Sequence, residues 1–136
     1  MTRAPLLTLA LAAGCYSADP SETYKGPARE LWDDGRPDVV TEAAEATIVD
    51  DGPTAELTFV GCTIALRRVS GNDVRRRFEL ASDSQSCAAG VVEQALVGDP
   101  VRREPPEPGA ELSIEMWLTR EDGAPSLIEF TGQRVN

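Results

Sequence analysis

The chain has 136 residues, with 13 basic and 23 acidic side chains, no histidine and a net charge of −10. This length allows one domain with a modest core, and the acidic balance excludes nucleic acid as an expected partner because phosphate binding needs positive charge. The lack of histidine removes the usual general base at neutral pH and the commonest zinc ligand. We therefore expect no metal, no cofactor and no enzymatic activity; the open alternative is a hydrolase that uses carboxylates alone.

Residues 1–14 have the pattern of an export signal. Arg3 supplies a positive charge, an apolar stretch runs from Ala4 to Ala13, and small residues lead directly into Cys15. The stretch is shorter than the 20 or so apolar residues that span a bilayer. The small residues followed by cysteine resemble the lipobox of bacterial lipoproteins, although Ala12 stands where leucine is more common.

The resemblance implies that residues 1–14 are a signal peptide and that Cys15 becomes the first mature residue, carrying acyl chains such as palmitate. Two or more chains hold a protein stably on a membrane. The protein is then exported and anchored to the cell membrane or outer membrane, with its domain outside the cytoplasm. Ordinary secretion with an incidental Cys15 is the alternative.

Cys62 and Cys87 are the other two cysteines of the chain. An exported chain meets an oxidising compartment, where an even number of remaining cysteines favours a disulfide. The sequence therefore predicts a Cys62–Cys87 bridge; two buried thiols or an intermolecular bridge are the alternatives.

Residues 15–43 are predicted to be the lipidated N-terminus and a flexible tether. They contain many turn-forming residues and few apolar ones. Leu31-Trp32 and Val39-Val40 are the exceptions, and whether Trp32 docks on the domain stays open.

Residues 44–136 are predicted to be a β domain, because alternating apolar residues recur between turn signals. A first strand begins near Ala44. Residues 54–69 are expected to form one strand that bends at Gly61, and a three-residue loop would then set Leu66 opposite Phe78. This register places Arg67 opposite Arg77 and Arg68 opposite Arg76.

The second half of the domain has three apolar segments. Residues 91–97 are short enough for strand or helix, and their valines favour a strand. A proline-rich connector follows over residues 99–109. Residues 111–119 alternate with Met116 on the buried face, and a loop over residues 121–125 would set Ile128 opposite Leu118. The predicted fold class is all-β: a single small antiparallel β-barrel or sandwich of about six to seven strands with one disulfide.

Two surface features are candidate sites. Like charges facing each other across strands destabilise a sheet, so an arginine cluster on one hairpin requires compensation by carboxylates or marks an anion or partner patch. Its members are Arg67, Arg68, Arg75, Arg76 and Arg77. Trp117 and Leu127 are a candidate apolar contact, and Trp32 is one residue that would cover them.

These features favour an envelope-anchored lipoprotein whose β domain is a binding or accessory module. The expected partners are the membrane, through the lipid, and an envelope protein or anionic glycan. A surface-coating lipoprotein without a specific ligand is the second hypothesis.

Overall fold

The structure, a computed structural model of the chain, describes residues 21–69, 76–100 and 109–136. Cys15 and Arg75 lie outside these residues, so the predicted acylation site has no structural description. Nine β-strands occur in the described parts: β1 (Ser21–Trp32), β2 (Val39–Asp50), β3 (Thr54–Phe59), β4 (Cys62–Arg68), β5 (Arg77–Leu80), β6 (Gln85–Cys87), β7 (Gly90–Gly98), β8 (Glu111–Thr119) and β9 (Pro125–Arg134).

Eight of these strands form a closed antiparallel barrel. Each strand pairs with the next along the chain from β1 to β5, β5 pairs with β7, and β9 pairs back with β1. Strand β6 is an additional strand on β7. The predicted antiparallel all-β class is confirmed, and the architecture is a barrel with two or three more strands than expected.

The predicted tether is wrong from Ser21 onwards. Strands β1 and β2 pair along their length, from Ser21 opposite Val49 to Glu30 opposite Val39, and β1 closes the barrel against β9. The pattern of β1 was concealed because two of its inward positions carry Glu22 and Glu30, whose charges are met by Arg76, just before β5, and Arg120, just after β8. The β domain therefore begins at least as early as Ser21.

The predicted bent strand over residues 54–69 is in fact a hairpin. Phe59 pairs with Cys62, and Val60 and Gly61 form a two-residue turn with positive φ angles of 47° and 79°. Positive φ at both central residues is the requirement of the tight turns that match the twist of paired strands. Such a turn places Phe59 and Cys62, which are three residues apart, on the same face. The buried positions therefore change from odd-numbered residues before the turn to even-numbered residues after it.

Both predicted hairpin registers are displaced by two residues. Leu66 lies opposite Leu80, which brings Arg67 opposite Glu79 and Arg68 opposite Phe78. A displacement of two leaves the same face buried, so the apolar pattern alone could not exclude it, whereas pairing opposite charges favours the observed register.

The C-terminal hairpin is displaced in the same way. Its loop covers residues 120–124, and Ile128 lies opposite Met116. The predicted buried face of β8 is nevertheless confirmed, since Leu112, Ile114, Met116 and Leu118 are all buried.

Side chains fill the barrel. The rings of Phe59 on β3 and Phe130 on β9, which are not neighbouring strands, lie 5.0 Å apart between centroids. Eight strands enclose a space just wide enough for side chains to fill. The predicted strand at residues 91–97 is confirmed as part of β7, with Val92, Ala95 and Val97 buried.

The predicted disulfide is also confirmed. Cys62 and Cys87 are bonded, with their Cα atoms 4.9 Å apart. The bond joins the start of β4 to the end of β6, at the end of the barrel where β1 finishes.

Candidate functional site

Arg76 occupies one mouth of the barrel and is surrounded by carboxylates. Its Nη2 lies 3.0 Å from Glu22 Oε1, and its Nη1 lies 3.2 Å from Asp50 Oδ2. The backbone amide of Arg76 donates to Asp99 Oδ2 at 3.0 Å, and the amide of Asp99 donates back to the carbonyl oxygen of Arg76 at 3.1 Å. We call this group, with the neighbouring Arg68, the Arg76 mouth.

Tyr24 joins the Arg76 mouth to the apolar interior. Its ring is buried, and its hydroxyl lies 2.6 Å from Glu22 Oε1 and 3.0 Å from the carbonyl oxygen of Gly109. Burial, reinforced by the hydrogen bond to Glu22, raises the pKa of Tyr24 to about 12. Burial opposes the charge of Arg76, but its hydrogen bonds and attraction to Glu22 prevail and raise the pKa of the guanidinium above its usual range. Both groups therefore keep one protonation state at neutral pH.

The arginine cluster is divided by the structure. Arg67 pairs with Glu79 on the outer face, and Arg68 pairs with Asp50 at 3.1 Å while its guanidinium lies 5.0 Å from the ring of Phe78. With Arg76, three of the predicted patch residues thus have carboxylate partners, which is the compensation the sequence required. Arg77 is exposed, and within residues 21–69, 76–100 and 109–136 no carboxylate pairs with it.

Arg77 lines a groove of about 520 Å³ on the outside of the barrel. The groove crosses β5, β7 and β8, and Leu96 lies in it with 41% of its surface exposed. Glu79 and Glu115 flank Leu96 on the neighbouring strands. The arrangement is an exposed apolar side chain beside a guanidinium whose charge is unpaired in the described part of the chain.

Trp117 and Leu127, the candidate apolar contact, lie directly opposite each other on β8 and β9. Leu31 continues the row on β1, opposite Leu127. All three are half-buried, so the pair is covered partly by its own strand neighbours. The predicted apolar contact is therefore a three-residue row on the outer face, extended by Leu31 and not by Trp32.

Trp32 lies at the end of the barrel opposite to the Arg76 mouth, where the sequence predicted no site. The guanidinium of Arg36 stacks 4.1 Å from its ring, and that of Arg120 lies 5.7 Å away. Arg120 also holds Glu30 in a two-pronged ion pair at 2.6 and 2.9 Å. We call this end the Trp32 mouth; its only local signal was the Leu31-Trp32 pair within a polar stretch.

The Trp32 mouth also contains an open depression of about 460 Å³ beside Arg36 and Asp122. Arg36 donates to Asp34 at 2.7 Å and to Asp122 at 3.1 Å, and these bonds raise its pKa. A backbone hydrogen bond from Ala124, followed by that from Arg36, lowers the pKa of Asp122. The loop between β1 and β2 is thereby tied to the loop between β8 and β9.

No protein-family model matches the chain, and none of the curated proteins matches it in sequence. In the described ranges, no helix has the length and hydropathy needed to cross a membrane. The same ranges contain no group of three or more histidine, cysteine or acidic side chains positioned to hold a metal ion.

Proposed function

We propose that the protein is an envelope lipoprotein, anchored through acyl chains on Cys15, whose barrel is a binding or accessory module. The observation that carries the proposal is the leader, in which small residues run directly into Cys15. The Cys62–Cys87 disulfide supports it, since such bonds persist in oxidising compartments outside the cytoplasm.

The packed interior directs any recognition to the outer surface. Side chains that meet across the barrel, such as Phe59 and Phe130, occupy the space that a small ligand would need. The groove beside Leu96 and Arg77 is the surface that suits a partner best, because it combines exposed apolar area with an unpaired charge among the described residues.

The chemistry of the groove favours an envelope protein over an anionic glycan. A polyanion would need several arginines acting together, whereas Arg67, Arg68 and Arg76 already hold carboxylates. A protein partner needs only an apolar side chain against Leu96 and a carboxylate near Arg77.

Metabolic labelling with a palmitate analogue tests the anchor. We expect wild-type protein to be labelled and recovered with membranes, and Cys15→Ala protein to be unlabelled and soluble. The control is the double variant Cys62→Ala with Cys87→Ala, which should keep its label. An unlabelled wild-type protein, or a Cys15→Ala variant that stays with the membranes, would contradict the proposal.

Site-specific photocrosslinking in cells tests the module. A photoreactive amino acid at position 96 should capture a discrete partner protein, and the same amino acid at Val39, which is 54% exposed elsewhere on the barrel, should not. Arg77→Glu should reduce the capture at least fivefold. Equal, diffuse crosslinking at both positions would instead favour the surface-coating alternative. The pairing of Arg67, Arg68 and Arg76 with carboxylates is the observation that supports this alternative.

A further inference from the structure

We infer that the Arg76 mouth faces the lipid bilayer and the Trp32 mouth points away from it. The inference rests on the proposed anchor at Cys15. It concerns the surface of the barrel that meets the lipid headgroups, which the leader sequence alone does not identify.

The barrel begins at the Arg76 mouth. Strand β1 starts at Ser21, opposite Val49 and next to the carboxylates of the Arg76 mouth. It ends at Trp32, at the other mouth. The chain that leads from the acylated residue therefore enters the barrel at the Arg76 mouth.

The chain between Cys15 and Ser21 is too short for an inverted barrel. Six Cα–Cα steps separate Cys15 from Ser21, and at about 3.5 Å each they reach at most about 21 Å. The eleven steps of β1, at about 3.3 Å and tilted about 40° to the barrel axis, lift Trp32 about 28 Å above Ser21 along the axis. An inverted barrel would hold Ser21 about 28 Å from the bilayer, beyond the reach of the chain. Only upright and side-lying orientations are open.

The charges at the two mouths distinguish the upright orientation from the side-lying one. At the Trp32 mouth, residues 30–38 and 120–122 hold six acidic and two basic side chains. The described residues around the Arg76 mouth are closer to balance, with six acidic and five basic side chains; they are Glu22, Asp50, Asp51, Glu79, Asp99 and Glu111 against Arg67, Arg68, Arg76, Arg77 and Arg134. A side-lying barrel would bring the acidic Trp32 mouth within the roughly 10 Å over which headgroup charge acts, whereas an upright barrel holds it about 28 Å away, so an anionic headgroup layer favours the upright orientation. The barrel therefore stands upright; the groove beside Leu96 begins at the bilayer-facing mouth, where Arg77 and Asp99 line it, and extends along the flank to Leu96.

Photolabelling from the membrane tests this orientation. Acylated protein is reconstituted in vesicles of phosphatidylethanolamine and phosphatidylglycerol (3:1) that carry a diazirine on a fraction of the headgroups, and labelled peptides are identified by mass spectrometry. We expect residues 50–54 and 67–69 to be labelled at least fivefold more than residues 33–38 and 120–122. Equal or reversed labelling of acylated, vesicle-bound protein would overturn the orientation and leave the anchor intact.

A tether variant provides the matched control. Insertion of 20 glycine and serine residues after Pro20 lengthens the chain between Cys15 and Ser21 and should reduce the labelling contrast at least twofold. An unchanged contrast would overturn the length argument. Protein that carries no acyl chain and stays in the aqueous phase would overturn the proposed anchor and the orientation together.

Discussion

Arg76 and Glu22 are 54 residues apart in the chain and form a two-pronged ion pair across one mouth of the barrel, at 3.0 and 3.2 Å. The pair links Glu22, near the start of β1, to Arg76, the residue before β5. Only 15% of the Arg76 side chain and 17% of the Glu22 side chain are exposed. The pair is thus largely shielded from water, where removal of one partner leaves the other charge uncompensated.

We expect Arg76→Gln to lower the free energy of unfolding by about 3 kcal/mol, because Glu22, Asp50 and Asp99 would lose their shared cation. Arg67→Gln is the matched control and should cost less than about 1 kcal/mol, since Arg67 is 60% exposed. Urea denaturation of both variants measures the difference. Equal losses would mean that the position of Arg76 inside the mouth contributes nothing.

The raised pKa of Tyr24 predicts a loss of stability at high pH. The folded protein keeps the phenol protonated up to a pKa of about 12, whereas the unfolded chain releases the proton near pH 10. The unfolded state therefore gains from deprotonation first, and stability falls as the pH rises from 10 to 12. A difference of two units between the pKa values of the folded and unfolded states corresponds to about 2.7 kcal/mol of unfolding free energy.

Denaturation of wild-type and Tyr24→Phe protein at pH 9, 10, 11 and 12 checks this. The wild type should lose about 2 to 3 kcal/mol more than the variant over the upper two units. Parallel losses in the two proteins would show that other groups govern the alkaline transition.

The disulfide should contribute substantially to stability because it closes a loop of 25 residues. The chain-entropy relation gives about 3.5 kcal/mol for this loop. We expect the Cys62→Ala, Cys87→Ala double variant to show this loss in urea denaturation, with Cys15→Ala present in both proteins compared. A double variant as stable as its parent would contradict the expected constraint on the unfolded chain.

Met116 is fully buried on β8, and its neighbours on the same strand face are buried as well. Met116→Asp should prevent folding, since a carboxylate in the filled interior has no partner and costs several kcal/mol. Thr131→Asp, at an exposed position on β9, is the control and should change stability by less than about 1 kcal/mol. Thermal unfolding monitored by circular dichroism distinguishes them; a Met116→Asp protein with wild-type melting would refute the assigned strand face.

Alternation along each strand was enough to identify most of the buried side chains. Ile64 and Leu66 on β4, and Ile114 and Met116 on β8, occupy the interior as their period of two predicts. The disulfide followed from the number of cysteines in a chain predicted to be exported. These features depend on residues close together in sequence, or on counting, and neither requires knowledge of which strands meet.

The register between strands and the closure of the barrel could not be predicted from the alternation of apolar residues. Displacing β5 against β4 by two residues leaves Phe78 and Leu80 facing inward, so burial cannot choose between the alternatives. The choice depends on which outward side chains meet, and the structure places Arg67 opposite Glu79. The same limit explains the displaced hairpin between β8 and β9.

The sequence by itself determined the alternation of buried and exposed residues, the all-β class and the disulfide, because each depends on local pattern or composition; the leader and its acylated cysteine stay predictions from the same kind of pattern. Only the tertiary structure decided that residues 21–43 belong to the barrel and that each mouth holds an arginine among carboxylates. Glu22 and Glu30 look like surface residues in the sequence, since a charge enters a protein interior only with its counter-charge. Arg76 and Arg120, which supply those counter-charges, lie 54 and 90 residues away in the chain and meet them only when the barrel closes.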